Sequence, residues 1–347
     1  MTFAYEKPPA PVSGLRLHMN ENTSGCSPAV LKALGELTVE KLAYYPDYSE
    51  PVRALAEHLQ VDETNIALTN GLDEGILAAS IAAARAGDSP GEAIIVVPAF
   101  EMQPAFADAA GLRIVAVPLG SGFEFPANEV LSEIRAATRI VFITTPHNPT
   151  GQIAPRESIV EIARRASSAM VFVDEAYADF SGASLIDLQT FTALPNVVVG
   201  RTFAKAYGLA ALRCGALVGA SERLEPIRRV LPPYNLNIAA AVALPAALRD
   251  RDRYEWYLDQ VRRSKQLLYE GLDRLGIVYW KSEGNFVLAR IGPAASRVCG
   301  DLTKREIHIR DRSSVPGCEG CARITAGVVE HTARCLAALE EALCGAQ

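Results

Sequence analysis

The sequence predicts an α/β protein: a large domain with a mainly parallel sheet sandwiched by helices, plus a small α+β domain. Three observations carry this. Between residues 45 and 245, six short runs are almost wholly apolar and rich in β-branched residues, as strands buried on both faces of a parallel sheet are. Helical patterns separate these runs, so they read as βα units. Beyond 245 the pattern changes to a long helical stretch followed by short strands. The 347 residues suffice for two domains at about 100–200 residues each. The expected division is an N-terminal segment, 1–44, belonging to the small domain, a large domain, 45–245, and a small C-terminal domain, 246–347.

In chain order, 50–59 reads as an amphipathic helix and 74–85 as an Ala-rich, mostly buried one. The strands expected next are 93–97, 113–117, 139–143, 170–173, 196–199 and 214–218, each short and nearly all apolar. The helical stretch 239–275 should break near Pro245, because proline lacks the N–H a helix interior needs. Short strands are expected at 278–280, 286–289, 308–310 and 322–325, and a closing amphipathic helix at 329–343.

Composition excludes several classes of function. The 34 Lys and Arg against 40 Asp and Glu leave a net charge of −6. Phosphate-backbone affinity needs clustered positive charge, so neither nucleic acid nor a membrane surface is an expected partner. The longest apolar run, 238–248, contains Pro245 and is too short to span a bilayer. Glu6, Pro8, Pro9 and Pro11 stand where a signal peptide would carry its apolar core, so a cytoplasmic enzyme is expected. The seven cysteines are scattered and odd in number, which argues against a disulfide framework. Cys318-x-x-Cys321 is half a zinc site, with His308 or Cys335 left to complete it, and the usual second pair is missing. Free thiols are the simpler reading, and no metal is expected.

In an open α/β sheet, ligands bind beyond the carboxyl ends of the strands. Asp174-Glu-Ala-Tyr177 follows the run 170–173. A carboxylate there is partly desolvated and calls for a cation or donor, such as a protonated ring nitrogen; Asp is also a common helix cap. After 196–199 come Gly200-Arg-Thr-Phe-Ala-Lys205 and then Arg213. A lysine deep in an apolar stretch loses proton affinity and can form a Schiff base; otherwise it is a surface lysine. Thr202 and Arg213 bracket it as a hydroxyl and guanidinium for a phosphate. Thr144-Thr-Pro-His-Asn-Pro-Thr-Gly151 is a rigid turn that aims Asn148 at a ligand, or a turn and nothing more. In Thr69-Asn-Gly-Leu-Asp-Glu74, Gly71 permits a tight turn and the Leu72 and Asp73 amides open a helix. Such a terminus binds phosphate, or is simply capped. Singly each signal is ordinary; jointly, in this order on one sheet, they are strong. No Gly-x-Gly-x-x-Gly fingerprint supports a nicotinamide dehydrogenase.

With these motifs the chain resembles the fold-type I pyridoxal-phosphate-dependent transferases, specifically class I/II aminotransferases of the histidinol-phosphate aminotransferase type. The resemblance runs from Leu17-His-Met-Asn-Glu-Asn22 to Arg323-Ile-Thr-Ala-Gly327. It implies that Lys205 carries pyridoxal 5'-phosphate and shuttles the proton, and that Asp174 keeps the ring nitrogen protonated so that the ring is an electron sink. Asn148 and Tyr177 would bond the ring oxygen, and Phe100 would stack on the ring. Gly71, Leu72, Asp73, Thr202 and Arg213 would hold the phosphate. Tyr45 matches a tyrosine that reaches the neighbouring subunit's cofactor, which implies a homodimer with shared active sites. Arg323 would clamp the substrate carboxylate, with Asn20 and Asn285 lining that end. Arg310 would approach a distal phosphate, unless it belongs only to the surface charge cluster Arg310-Asp311-Arg312.

The implied reaction moves an amino group between an L-amino acid or amino alcohol phosphate and a 2-oxo acid, in amino-acid biosynthesis. Three positions depart from the family pattern. Ala204 replaces a serine whose hydroxyl contacts the cofactor phosphate, a loss of about 1.5–3 kcal/mol that predicts weaker cofactor retention. Leu72 replaces a small residue, and Phe100-Glu101 replaces Tyr-Gly on the wall facing the substrate. The altered wall keeps open a decarboxylase, eliminating or cyclising enzyme on the same scaffold. A non-catalytic cofactor-binding protein is a third reading, opposed by the joint presence of Lys205, Asp174, Tyr177, Asn148 and Arg323.

Overall fold

The computed structural model describes residues 11, 13–87 and 90–344; Glu6, Pro8 and Pro9 lie outside them. The strands are β1 (Leu15–Leu17), β2 (Ile66–Asn70), β3 (Glu92–Val97), β4 (Arg113–Pro118), β5 (Thr138–Thr144) and β6 (Met170–Asp174). They continue with β7 (Val197–Thr202), β8 (Cys214–Gly219), β9 (Val278–Trp280), β10 (Phe286–Arg290), β11 (Ile307–Asp311) and β12 (Cys321–Thr325). Seven form one sheet, in the order β2-β8-β7-β6-β5-β3-β4. Only β8 runs against its neighbours there. The other five form a second sheet, β1-β11-β12-β10-β9.

The all-apolar runs have the physical reason expected of them. In β3 and β5 to β7, alternate residues face two different cores. Ile94, Val96, Val141, Ile143, Val171, Val173, Val197 and Val199 pack on one side. Ala93, Ile95, Ile140, Phe142, Phe172 and Val198 pack on the other. A parallel sheet covered by helices on both faces leaves no side of the strand for polar residues. The helix Gly71–Ala84 covers one face; Ser49–Leu59, Arg156–Arg165 and Ile238–Arg249 cover the other. A third core, with Tyr257, Val261, Leu268 and Leu272 of the helix Arg251–Arg274, lies under the second sheet.

Two strands are additions to the expected set. β2 runs directly into the helix Gly71–Ala84, so its few apolar residues blend into the turn signal after them. β1 has three residues and exists through parallel pairing with β11, nearly three hundred residues away, which no local pattern reveals. One expectation is corrected. The helical stretch breaks at Asp250, not at Pro245, which is buried inside the helix Ile238–Arg249. Packing of that helix against Pro28–Gly35 and Ser49–Leu59 offsets the lost hydrogen bond. Asp250 instead caps the next helix, its carboxylate accepting from the Arg253 amide at 3.3 Å and from the Ser27 hydroxyl.

Register positions the site. Thr144 of β5 lies opposite Asp174 of β6, and Asp174 opposite Gly200 of β7. The carboxyl ends of the three central strands are therefore level, and the segments that follow them open on one space.

Candidate active site

That space is a cavity of about 250 Å³. Asp174 ends β6 at its floor, buried. Its Oδ2 accepts from Gln103 Nε2 at 3.0 Å and its Oδ1 from the Ala176 amide at 3.1 Å. Burial raises the carboxyl to about 6, against the pull of these two bonds. Among the described residues it forms no ion pair, and the Lys205 charge favours its ionised form without contacting it, so an anion is kept in a dry place with donors but no cation against it. This is the environment that a ligand's protonated nitrogen would relieve.

Lys205, past the end of β7, lines the same cavity and donates from Nζ to the Met19 carbonyl at 3.0 Å. The preceding segment shows why the spacing works. Arg201 points away and is buried between Glu175 (3.4 Å) and Asp179 (2.7 Å). Thr202, one residue on, lines the cavity and accepts from the Ala204 amide at 3.2 Å. Strand alternation thus gives the arginine to the scaffold and the threonine to the site.

At the start of the helix Gly71–Ala84, the Arg213 guanidinium crosses the turn and meets Asp73 at 3.1 Å. Gly71 has φ +77°, and a side chain there would collide with that guanidinium. A Cβ at Gly215 would come within 2.8 Å of the Leu72 amide nitrogen. The two glycines keep a cradle in which backbone amides, Thr202 and Arg213 converge, the donor set a phosphate needs. Leu72 also lines it.

The opposite end comes from the second sheet and the N-terminal segment. Tyr177 accepts from Asn20 Nδ2 at 3.0 Å, and Asn285 Nδ2 donates to the Asn20 carbonyl at 3.1 Å. Asn20 is left-handed, with φ +53°. Arg323 of β12 is buried, donating to Asn148 Oδ1 at 2.5 Å and to the His18 carbonyl at 2.7 Å. Its Nε has no partner among the described residues. Burial and the nearby Arg312 and Arg310 lower the guanidinium to about 10, opposed by Tyr177 and Glu101. Arg310 lies directly opposite Arg323 in the β11–β12 register. Burial, together with Arg16 and His308, lowers His18 to about 4, so its ring is neutral at pH 7.

Of the residues singled out in the sequence, Leu72, Asp73, Phe100, Asn148, Asp174, Tyr177, Thr202, Lys205 and Arg213 line the cavity. Gly71, Asn20, Asn285 and Arg323 surround it through the contacts above, whereas Arg310 does not line it and is placed only by its register opposite Arg323. Tyr45 stands apart from its own chain's cavity: it is 78% exposed and stacks on Tyr234 at 4.2 Å. Two participants were not anticipated. Gln103 bonds both Asp174 and Thr144 (2.9 Å), yet in sequence it is one polar residue in the first turn of a helix. Met19 contributes only its carbonyl, which any residue carries. Cys318 and Cys321 are buried in a small apolar cluster with Phe123 and Leu288. No group of residues among those described could hold a metal ion.

A buried carboxylate awaiting a cation, an amine facing it and a phosphate cradle beyond suit pyridoxal phosphate, so fold and cavity define a pyridoxal-phosphate-dependent enzyme of fold type I. Known proteins agree. The family model for aminotransferase class I and II matches residues 12–339, and the chain belongs to that family. It is a pyridoxal-phosphate-dependent aminotransferase, acting on amino and oxo acids. A relative in Pseudomonas fluorescens, histidinol-phosphate aminotransferase 2, is 35% identical over 344 residues, covering 96% of this chain and 90% of its own. The structure of a histidinol-phosphate aminotransferase from Sinorhizobium meliloti in complex with pyridoxal 5'-phosphate superposes with TM-score 0.85 at 26% identity. That match covers 96% of this chain and 92% of the other. L-threonine-O-3-phosphate decarboxylase from Porphyromonas gingivalis shares the fold, with TM-score 0.81 at 21% identity over 95% and 99% of the two chains.

Proposed function

We propose that this aminotransferase takes its amino group from a donor with one strongly anionic end, a phosphorylated amino alcohol of the histidinol-phosphate kind, and passes it to a 2-oxo acid. The observation that carries this is the pair Arg323 and Arg310 on adjacent strands, Arg323 buried with an unpartnered Nε. A desolvated guanidinium binds a carboxylate or phosphate far better than an exposed one. The names of the relatives point the same way.

When bound, pyridoxal phosphate supplies the electron sink for charge left at the substrate α-carbon. The chain's own groups do the rest. Asp174, held by Gln103 and Ala176, presents an oriented negative charge to the ring nitrogen. Gly71, Leu72, Asp73, Thr202 and Arg213 would hold the phosphate, and Asn148 and Tyr177, pinned by Arg323 and Asn20, would bond the ring oxygen. Phe100, which lines the cavity, would stack on the ring. Lys205 would hold and return the proton at the α-carbon; in the chain alone its amine donates to the Met19 carbonyl. Asn20 and Asn285 shape the segment over the substrate.

The working unit is a homodimer, and Tyr45 completes the partner's phosphate site. Val39, Leu42, Tyr44 and Tyr45 are all exposed in the single chain, an apolar patch that a second copy would cover. The parts 45–245, and 246–347 with 1–44, act as large and small domains in a cytoplasmic enzyme; no described helix is long and apolar enough to cross a membrane. The test is a half-reaction: enzyme loaded with cofactor, no acceptor, and a panel of donors including histidinol phosphate and glutamate. One keto product per active site, fastest with histidinol phosphate, is expected. Release of carbon dioxide would replace this reading with a decarboxylase.

A further inference from the structure

Asp174 is gripped from the helix Met102–Ala109. Gln103, in the first turn of that helix, is 1% exposed and touches the carboxylate without lining the cavity. A carboxamide NH2 has two N–H donors. Gln103 Nε2 gives one to Asp174 Oδ2 at 3.0 Å and the other to Thr144 Oγ1 at 2.9 Å. All three side chains are buried. Thr144 ends β5 directly opposite Asp174 in the register, so the amide ties together two adjacent strand ends. The backbone amide of Gln103 donates to the Phe100 carbonyl at 2.9 Å. One turn of chain therefore carries both the side chain expected on the ring face and the one that holds the carboxylate.

The groups acting on Asp174 can be separated. Burial disfavours its charge; the Ala176 amide and Gln103 favour it, Asp73 disfavours it and Lys205 favours it. The Ala176 bond comes from the backbone, which any residue there would supply. The Gln103 bond comes from a side chain, and a carboxamide donates at every pH because it does not titrate. A donor on the ionised form favours that form. Thr144 reaches the carboxylate through Gln103. While its hydroxyl accepts one N–H, the other stays on Asp174. Without that anchor the amide is free to turn and set its oxygen, an acceptor, against an anion.

We propose that Gln103 is a positioning residue for Asp174, and that Gln103 and Thr144 together decide how far into acid the enzyme keeps its cofactor; this rests on the reading of Asp174 as the partner of the ring nitrogen. An ionised carboxylate pairs with the protonated nitrogen, whereas a protonated one leaves that cation in a dry place with no counter-charge. Removing the Gln103 donor moves the titration of Asp174 upward. Affinity for the cofactor then fails at a higher pH. Well above that point the carboxylate is ionised with or without Gln103, so affinity there hardly changes. A residue that merely fills space would weaken binding alike at every pH.

The experiment titrates the full chain, freed of cofactor, with pyridoxal phosphate at a series of pH values, reading dissociation constants from the quench of protein fluorescence. Wild type should lose affinity below about pH 6. Gln103→Met, a swap of similar volume, should move that loss up by about one unit and leave affinity well above it within about threefold. Thr144→Val should move it the same way by less, and Thr144→Ser should restore it, a pair that tests the chain independently of any change at Gln103. Gln103→Met with Thr144→Val should shift no further than Gln103→Met alone. Inorganic phosphate, which reports the cradle, should compete equally in every variant. An unmoved profile, or equal weakening at every pH, overturns the proposal; additive shifts overturn the part given to Thr144. Asp174→Asn separates the two levels. Loss of the acid step there supports Asp174 as the ring partner whatever Gln103 does, and an unchanged step removes that reading and the proposal together.

Discussion

The two ends of the site are built by different means. At the large sheet, the groups facing the cofactor follow the ends of level, adjacent strands: Thr144 after β5, Asp174 to Tyr177 after β6, Thr202 and Lys205 after β7. At the small sheet, the groups facing the substrate meet across the whole chain. The Arg323 contact with His18 and the Asn20 contact with Thr325 each join residues 305 positions apart. The first end is set by strand order and short loops, so it tolerates few alternatives. The second depends on where the N-terminal segment and β11–β12 come to rest.

The largest effect should come from the large-sheet end. Lys205→Ala removes the amine that must leave and return, and turnover should fall at least about ten-thousand-fold in single-turnover measurements. Activity within tenfold of wild type would break the comparison at its centre. Arg323→Lys at the other end keeps the charge and loses the planar fork. We expect kcat/KM to fall roughly a hundredfold, mostly in KM, with the spectrum of the bound cofactor unchanged, because the two ends are separable.

Asp174 gives a pH signature. Without cofactor, its carboxyl is raised by burial from an ordinary 3.8 to about 6. Between about pH 4 and 6 the folded chain therefore holds a proton that the unfolded chain has lost. Cofactor-free stability should decline as pH rises through that window, and Asp174→Asn should flatten the decline. Cofactor binding needs the ionised carboxylate opposite a protonated nitrogen, so affinity should drop below pH 6 by up to about tenfold per unit. Titrations with cofactor at pH 5 to 8 test this; a flat profile would mean that Asp174 is not the partner.

The effect most confined to one end sharpens the comparison most. Ala204 lines the cavity and brings no hydroxyl. Ala204→Ser should tighten cofactor binding by about 1.5–3 kcal/mol, measured by dialysis or competition, with donor selectivity unmoved. A change in selectivity would show that the two ends are coupled through this loop.

Legibility follows the same line. Asp174, Lys205 and Thr202 stand out in the sequence because each follows an apolar run within a few residues, and the glycine turn because Gly71 opens an Ala-rich helix. Gln103 and Met19 do not, since one is an ordinary polar residue on a helix and the other offers only its carbonyl. Pro245 reads as a helix breaker and is not one here, because packing on two helices outweighs one lost bond, while Asp250 ends the helix by capping the next.

By itself the sequence determined the mainly parallel sheet, the strand ends that carry the chemistry and the family to which the chain belongs. These are properties of short windows: apolar periodicity, a residue's place after a strand, the spacing of a turn. The tertiary structure alone decided that β1 pairs with β11, that Arg323 is buried against His18 and Asn148, and that Glu101 faces Arg312 across the cleft. Those contacts join segments a hundred to three hundred residues apart. Their geometry comes from how the two sheets pack, a balance of burial and chain entropy that no local pattern records.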